Sequence, residues 1–135
     1  MATDPQLAAI LLSLNKVAER AISKITLDIT ANLIESTPVK TGWARANWIP
    51  SVTKAVQDTD GTQEQAEAGS ISSGKQTSGT AEAATYKLPQ GQVFIANNVP
   101  YILRLNDGSS SLAPAGFVEA AIQKAVLEDI LGAAT

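Results

Sequence analysis

From Asp4 to Ser36 the chain carries one unbroken helical pattern, and this stretch restricts the possible folds more than any other. Asp4 is a good N-cap, and Pro5 follows at the first helical position, where its missing N–H costs nothing. Apolar residues then recur at helical spacing through Leu7, Leu11, Leu14, Ala18, Ile22, Ile25, Ile29 and Leu33. Lys16, Glu19, Arg20, Lys24, Asp28 and Glu35 fall mainly on other faces. Pro38 disfavours helical geometry at Thr37, so the helix is expected to end near Glu35 or Ser36, as a rod of about 45 Å at 1.5 Å per residue. A rod of that length exceeds one compact core, which leaves part of its stripe to meet a neighbouring subunit; the plainer reading is that the helix only caps its own sheet. The β-branched cluster Ile22, Ile25, Thr26, Ile29 and Thr30 leaves a bend or break open.

Beyond the Thr41-Gly42 turn, Trp43 to Val52 alternates as a strand does, with Pro50 limiting it to an edge or a bulge. From Gln57 to Thr80 the chain turns polar and small, with Ile71 its only large apolar residue, so this insert is expected to be a loop or arm that contributes no core. Thr80 to Lys87 is compatible with a short helix and Leu88 to Gly91 with a turn. Gln92 to Ala96 reads as a strand, Asn97-Asn98 as a turn, and Tyr101 to Leu105 as a strand or a single helical turn ended by Asp107-Gly108. A last helix is expected from Pro114–Gly116 to Leu131, with Phe117, Ala121, Ile122, Ala125, Val126 and Ile130 on one face and Gly132 ending it. The expected class is α+β: a long N-terminal helix and a C-terminal helix packed on a small antiparallel sheet, with a long polar insert.

The 135 residues form one domain, long enough to bury roughly two thirds of the surface of the unfolded chain. The sequence has no Cys and no His, which excludes disulfides, thiolate metal sites, a Cys nucleophile and every Ser-His triad. A net charge of -3 argues against binding nucleic acid through its phosphates, which needs a clustered basic surface. The apolar run Leu7 to Leu14 is too short to span a bilayer and lacks the flanks of an export signal, so a soluble, unexported protein is expected.

Two motifs with chemical potential are set aside. Gly69 to Gln76 comes within one residue of a phosphate-binding P-loop, but Gln76 replaces the Ser or Thr that holds magnesium, and no strand is expected before it or helix after it. Without His, acid–base catalysis would need paired carboxylates, as in glycoside hydrolysis; Glu35 is the best single candidate and no second acid is tied to it by spacing. Trp43, Arg45 and Trp48 are suited to stacking on bases or sugars, and more often such residues anchor a protein interface.

The segment Ser36-Thr37-Pro38-Val39-Lys40-Thr41-Gly42-Trp43-Ala44-Arg45-Ala46-Asn47-Trp48 resembles the Thr-Pro-Val-Asp-Thr-Gly-x-x-Arg-x-x-Trp signature of the tail-completion, or neck, proteins of tailed bacteriophages. Val93 to Tyr101 is similar to that family's strand, Asn-Asn turn and Pro-Tyr, and Ala113-Pro114-Ala115-Gly116-Phe117-Val118 resembles its entry into the last helix. With a helix ahead of them, the three blocks span nearly the whole chain in the family's order. The family usually has Glu and an aromatic before the Gly matching Gly108, whereas this chain has Asn106 and Asp107, so the loop Asn106 to Leu112 is not carried over as a shared contact.

The resemblance implies a non-enzymatic virion component without cofactor or metal, assembled as a six-fold homo-oligomeric ring where the tail tube meets the head connector. It would complete or terminate the tube, stay off membranes, make no sequence-specific nucleic-acid contact, and pass through the host cytoplasm during assembly. Pro38, Gly42, Trp43, Arg45, Trp48, Asn97, Asn98, Pro100 and Tyr101 are then the expected interface residues. The alternatives are another ring component of the virion, such as a tail-tube or head-connector subunit, and a small carbohydrate-acting hydrolase.

Overall fold

The computed structural model describes residues 4–40, 42–108 and 113–134. Helix α1 spans Pro5–Ser36 without a break. Its start is as expected, with Asp4 Oδ1 accepting the Gln6 N–H at 2.9 Å and relieving one of the first-turn amides. Thr37 turns extended ahead of Pro38, and its N–H still donates to the Leu33 carbonyl. The β-branched cluster does not interrupt the rod, and within it the buried Thr26 and Thr30 hydroxyls are satisfied by donating to the Ile22 and Thr26 carbonyls.

Past the turn the path departs from the expected strand. Gly42, at φ 83°, reverses the chain, and Trp43–Ala46 form one helical turn, α2, before strand β1 runs over Ile49–Val52. The break between them is imposed by Asn47, whose buried amide donates back to the Trp43 carbonyl at 2.9 Å and ends the turn. Strand β2, Val93–Ala96, pairs antiparallel with β1 in the register Ile49–Ala96 to Val52–Val93. Both strands of this ribbon are edges, which accommodates Pro50 in the middle of β1.

The polar insert is folded, which corrects the expectation of a coreless loop. It contains α3, Gln63–Glu67, and α4, Gly74–Ala84, the latter starting six residues before the short helix expected from Thr80. Thr62 and Gln65 close a reciprocal capping box at the start of α3. The residues that these two helices bury are small: Ala66, Gly79 and Ala83. Gly79 lets α4 lie directly on the backbone of β1, where a Cβ would stand 2.0 Å from the Pro50 carbonyl oxygen. A single 3-10 turn at Leu88–Gln90 leads into β2.

Of the two readings for Tyr101 to Leu105, the structure takes the helical one, as α5 over Ile102–Asn106. Helix α6, Phe117–Ala134, runs through Gly132 rather than ending there. Its inner face is narrower than expected: Phe117, Ala121 and Ala125 are buried, whereas Ile122 and Ile130 are exposed. The entry to α6 is held by Asn106, whose Oδ1 accepts the Val118 N–H at 2.9 Å and whose amide donates to the Glu119 carboxylate. Thr41 of the expected turn and residues 109–112 of the loop after Gly108 lie outside the described residues.

The core forms around Leu33, Trp48, Ala113, Phe117 and Ala121, with a second cluster of Trp43, Ala44, Ala66 and Val99. Ile102 and Leu105 of α5 pack against both and join them. Helices α1 and α6 pack antiparallel against each other, while α4, longer than expected from the sequence, is the helix that lies most extensively on β1; the mixed α+β class with long first and last helices is as read from the sequence.

Candidate interaction surface

The two blocks of sequence around Trp48 and around Asn97-Asn98 meet in space. Asn97 donates its amide to the Ala44 carbonyl at 2.9 Å while its Oδ1 accepts the Val99 N–H, so the Asn-Asn turn is fixed to the end of α2. Trp43 and Tyr101, one from each block, stand with ring centroids 6.0 Å apart in a tilted arrangement. Asn98 donates to the Val56 carbonyl at 2.9 Å.

Burial changes the role of several expected interface residues. Trp43 and Trp48 are each only 6% exposed, so within this chain they are core side chains rather than presented anchors. Trp48 Nε1 donates to Thr37 Oγ1 at 2.7 Å, and that hydroxyl donates in turn to the Leu33 carbonyl at 2.5 Å, a buried relay tying β1 to the end of α1. Arg45, half-buried, donates from Nη2 to the Thr37 carbonyl at 3.1 Å and the Glu35 carbonyl at 3.4 Å, neutralising the negative end of α1. Pro38, Gly42, Asn97 and Tyr101 are half-buried, and Asn98 and Pro100 are exposed. The nine residues therefore build one junction, of which only a margin faces outward.

The sequence reading missed the polar residues that complete this junction. Asn47, fully buried, donates to the Trp43 and Asp60 carbonyls and accepts the Asp60 N–H at 2.6 Å. Gln76 of α4 donates to the Arg45 and Trp48 carbonyls. A helix does follow the P-loop-like Gly69–Gln76 segment, but the Asp60 carboxylate already accepts the Lys75 N–H at 2.9 Å, where an anion would have to sit. Glu35 is exposed at the end of α1. Among the described residues no group of three or more acidic side chains is placed to hold a metal ion. No described helix is long and apolar enough to cross a membrane.

The uncovered surface lies at the other end of α1. Lys24 meets Asp129 and Asn32 meets Ala121, so α1 and α6 run antiparallel in one register. At that register Ala134 draws level with the residues around Glu19, and the first turns of α1 project past the end of α6 by about 20 Å at 1.5 Å per residue. Every residue from Asp4 to Val17 is exposed. Leu7, Ile10, Leu11, Leu14 and Val17, between 49% and 62% exposed, form one stripe. Leu7, Leu11 and Leu14 belong to the stripe read from the sequence; Ile10 falls within the uncharged run from Pro5 to Asn15, and Val17 lies just beyond it, after Lys16.

Lys24 clamps the root of this projection. Its ammonium lies 2.7 Å from the Asp129 carboxylate and 2.6 Å from Asp28. The hydrogen bond to Asp129, then that to Asp28, raises the Lys24 pKa above its ordinary value, and the same bond from Lys24 lowers the Asp129 carboxyl below the usual carboxylate range. No family model, no curated protein and no solved structure matches this chain.

Proposed function

We propose that this chain is a structural, non-catalytic subunit of a tailed-phage virion that assembles as a ring, of hexameric order, at the neck. There it completes or terminates the tail tube and joins it to the head connector, with the genome free to pass through the lumen. One observation carries the reading: the apolar first turns of α1 project about 20 Å beyond the end of α6, and none of the described residues covers them. Contiguous exposed apolar surface of this kind marks a site of protein association. The resemblance of the Thr37–Trp48, Val93–Tyr101 and Ala113–Val118 blocks to neck proteins supplies the kind of assembly, and their convergence on one junction gives those residues a common purpose in setting the subunit's shape.

The work of such a subunit is geometric. Head-to-tail contacts, in which one patch meets a different patch on the next copy, close into a ring when the rotation between copies is right. Weak contacts then suffice, because each closed interface raises the effective concentration at the next. The test is genetic depletion of this chain from the producing phage, with complementation from a plasmid. The expected result is separate heads and tails, or tails of irregular length, restored to joined particles on complementation. Joined, infectious particles that lack the chain would refute the assignment.

A further inference from the structure

We infer that the projecting stripe of α1 docks on the outward face of the C-terminal half of α6 in a second copy of this chain. This rests on the ring reading above and names its contact surfaces. A second uncovered apolar face exists at Leu127, Ile130 and Leu131, each 58–61% exposed. These residues cannot face α1 of their own chain, because Ala121, Ala125 and Asp129 already do so, and helical spacing turns Leu127 and Leu131 to the opposite side.

Three observations favour a second copy as the occupant. The α1 stripe continues along the same helix that α6 covers between Lys24 and Leu33, so it extends an interface this chain already makes between two helices. Neither patch opposes the other electrostatically, since residues 5 to 15 carry no charge and the α6 patch is aliphatic. Finally, pairing two α1 projections with each other would leave the α6 patch exposed, whereas head-to-tail pairing covers both with one kind of contact. Leu7, Ile10, Leu14 and Val17 also follow the alternating three- and four-residue spacing by which one helix seats on another.

The chain has no Cys, so introduced thiols report without background. The full-length double variant Leu14→Cys/Ile130→Cys is treated with a short thiol-to-thiol cross-linker over rising protein concentration, beside each single variant. Head-to-tail docking gives the double variant a ladder of dimers, trimers and higher rungs, while a mixture of the two single variants gives a mixed dimer and neither gives a ladder. Leu14→Glu is expected to weaken association at least about tenfold, because docking would bury an unpaired carboxylate, with helical content unchanged at this exposed position. Dimers formed by Leu14→Cys alone, or no cross-linking up to the solubility limit, would overturn the docking. Electron micrographs of the untreated protein separate the two claims: rings without the ladder refute this contact and spare the ring, and a ladder from open filaments does the reverse.

Discussion

Replacing Gly79 by Ala adds one methyl group to the middle of α4, a change that in an ordinary helix stabilises by up to about 1 kcal/mol. Here the sign is expected to reverse. The added Cβ would lie 2.0 Å from the Pro50 carbonyl oxygen and 3.1 Å from its carbon, both backbone atoms of β1 that have no side-chain rotation to relieve them. Restoring ordinary contact moves α4 off the strand by about 1.4 Å, which also loosens the packing of the neighbouring atoms. Overpacking of this kind costs about 1–3 kcal/mol, enough to outweigh the helix gain. Urea unfolding followed by circular dichroism should show a lower midpoint at an unchanged slope, with a net loss of about 1–2 kcal/mol. Gly132→Ala in α6 is the matched control: its Cβ meets nothing within 4 Å, and the variant should be neutral or slightly more stable. A Gly79→Ala protein as stable as the parent would show that α4 is not seated on β1, and would return the 57–80 segment to the status of a dispensable arm. By the same reasoning, deleting Thr62 to Gly79 removes buried Ala66 and half of α4, and should unfold the protein rather than leave it intact.

Other substitutions probe the junction and the clamp. Gly42→Val forces a β-branched residue to φ 83°, with its Cβ 2.7 Å from Ile71 Cδ1; it should cost about 1–3 kcal/mol in chemical unfolding, and an unchanged midpoint would contradict it. Trp48→Ala should cost about 3–5 kcal/mol and Trp48→Phe, which keeps an aromatic ring but loses the bond to Thr37, about 1–2 kcal/mol, so an Arg45→Ala/Trp48→Ala subunit as stable as the parent in chemical unfolding would contradict the buried role of Trp48. The Asp129 carboxyl is depressed in the folded state, so the folded chain binds fewer protons than the unfolded one. Its contribution is complete above the ordinary value of 3.8 and is lost as pH falls through the lower folded value; Asp129→Asn should flatten that part of the acid-unfolding profile.

Much of the architecture was legible because it follows from local rules. Asp4-Pro5 and Pro38 bound a helix by capping and by steric exclusion, and the structure puts the ends of α1 at Pro5 and Ser36. The strand at Val93–Ala96 and the turn at Gly42 are equally local. Trp43 to Ala46 misled because alternation over four residues does not distinguish a strand from a helical turn, and the deciding contact, the Asn47 amide on the Trp43 carbonyl, is held in place by Asp60 from another segment. The insert misled for a different reason. Its core is made of Ala and Gly, whose value lies in how closely two backbones approach, and no hydropathy pattern records that. The excess length of α1 was legible, but exposed and buried leucines read alike in sequence, so it takes the register against α6 to show that the N-terminal end is the one that projects.

The neck assignment is tested most directly by reconstructing the phage particle proposed to carry this subunit, at a resolution that distinguishes helices. A closed ring of this subunit is expected at the head-proximal end of the tail, recognisable by its long α1 and antiparallel α6, with each projecting α1 end lying against a neighbouring copy. A particle whose neck density is fully explained without this fold, or one in which the chain occurs elsewhere than in a ring, would contradict it.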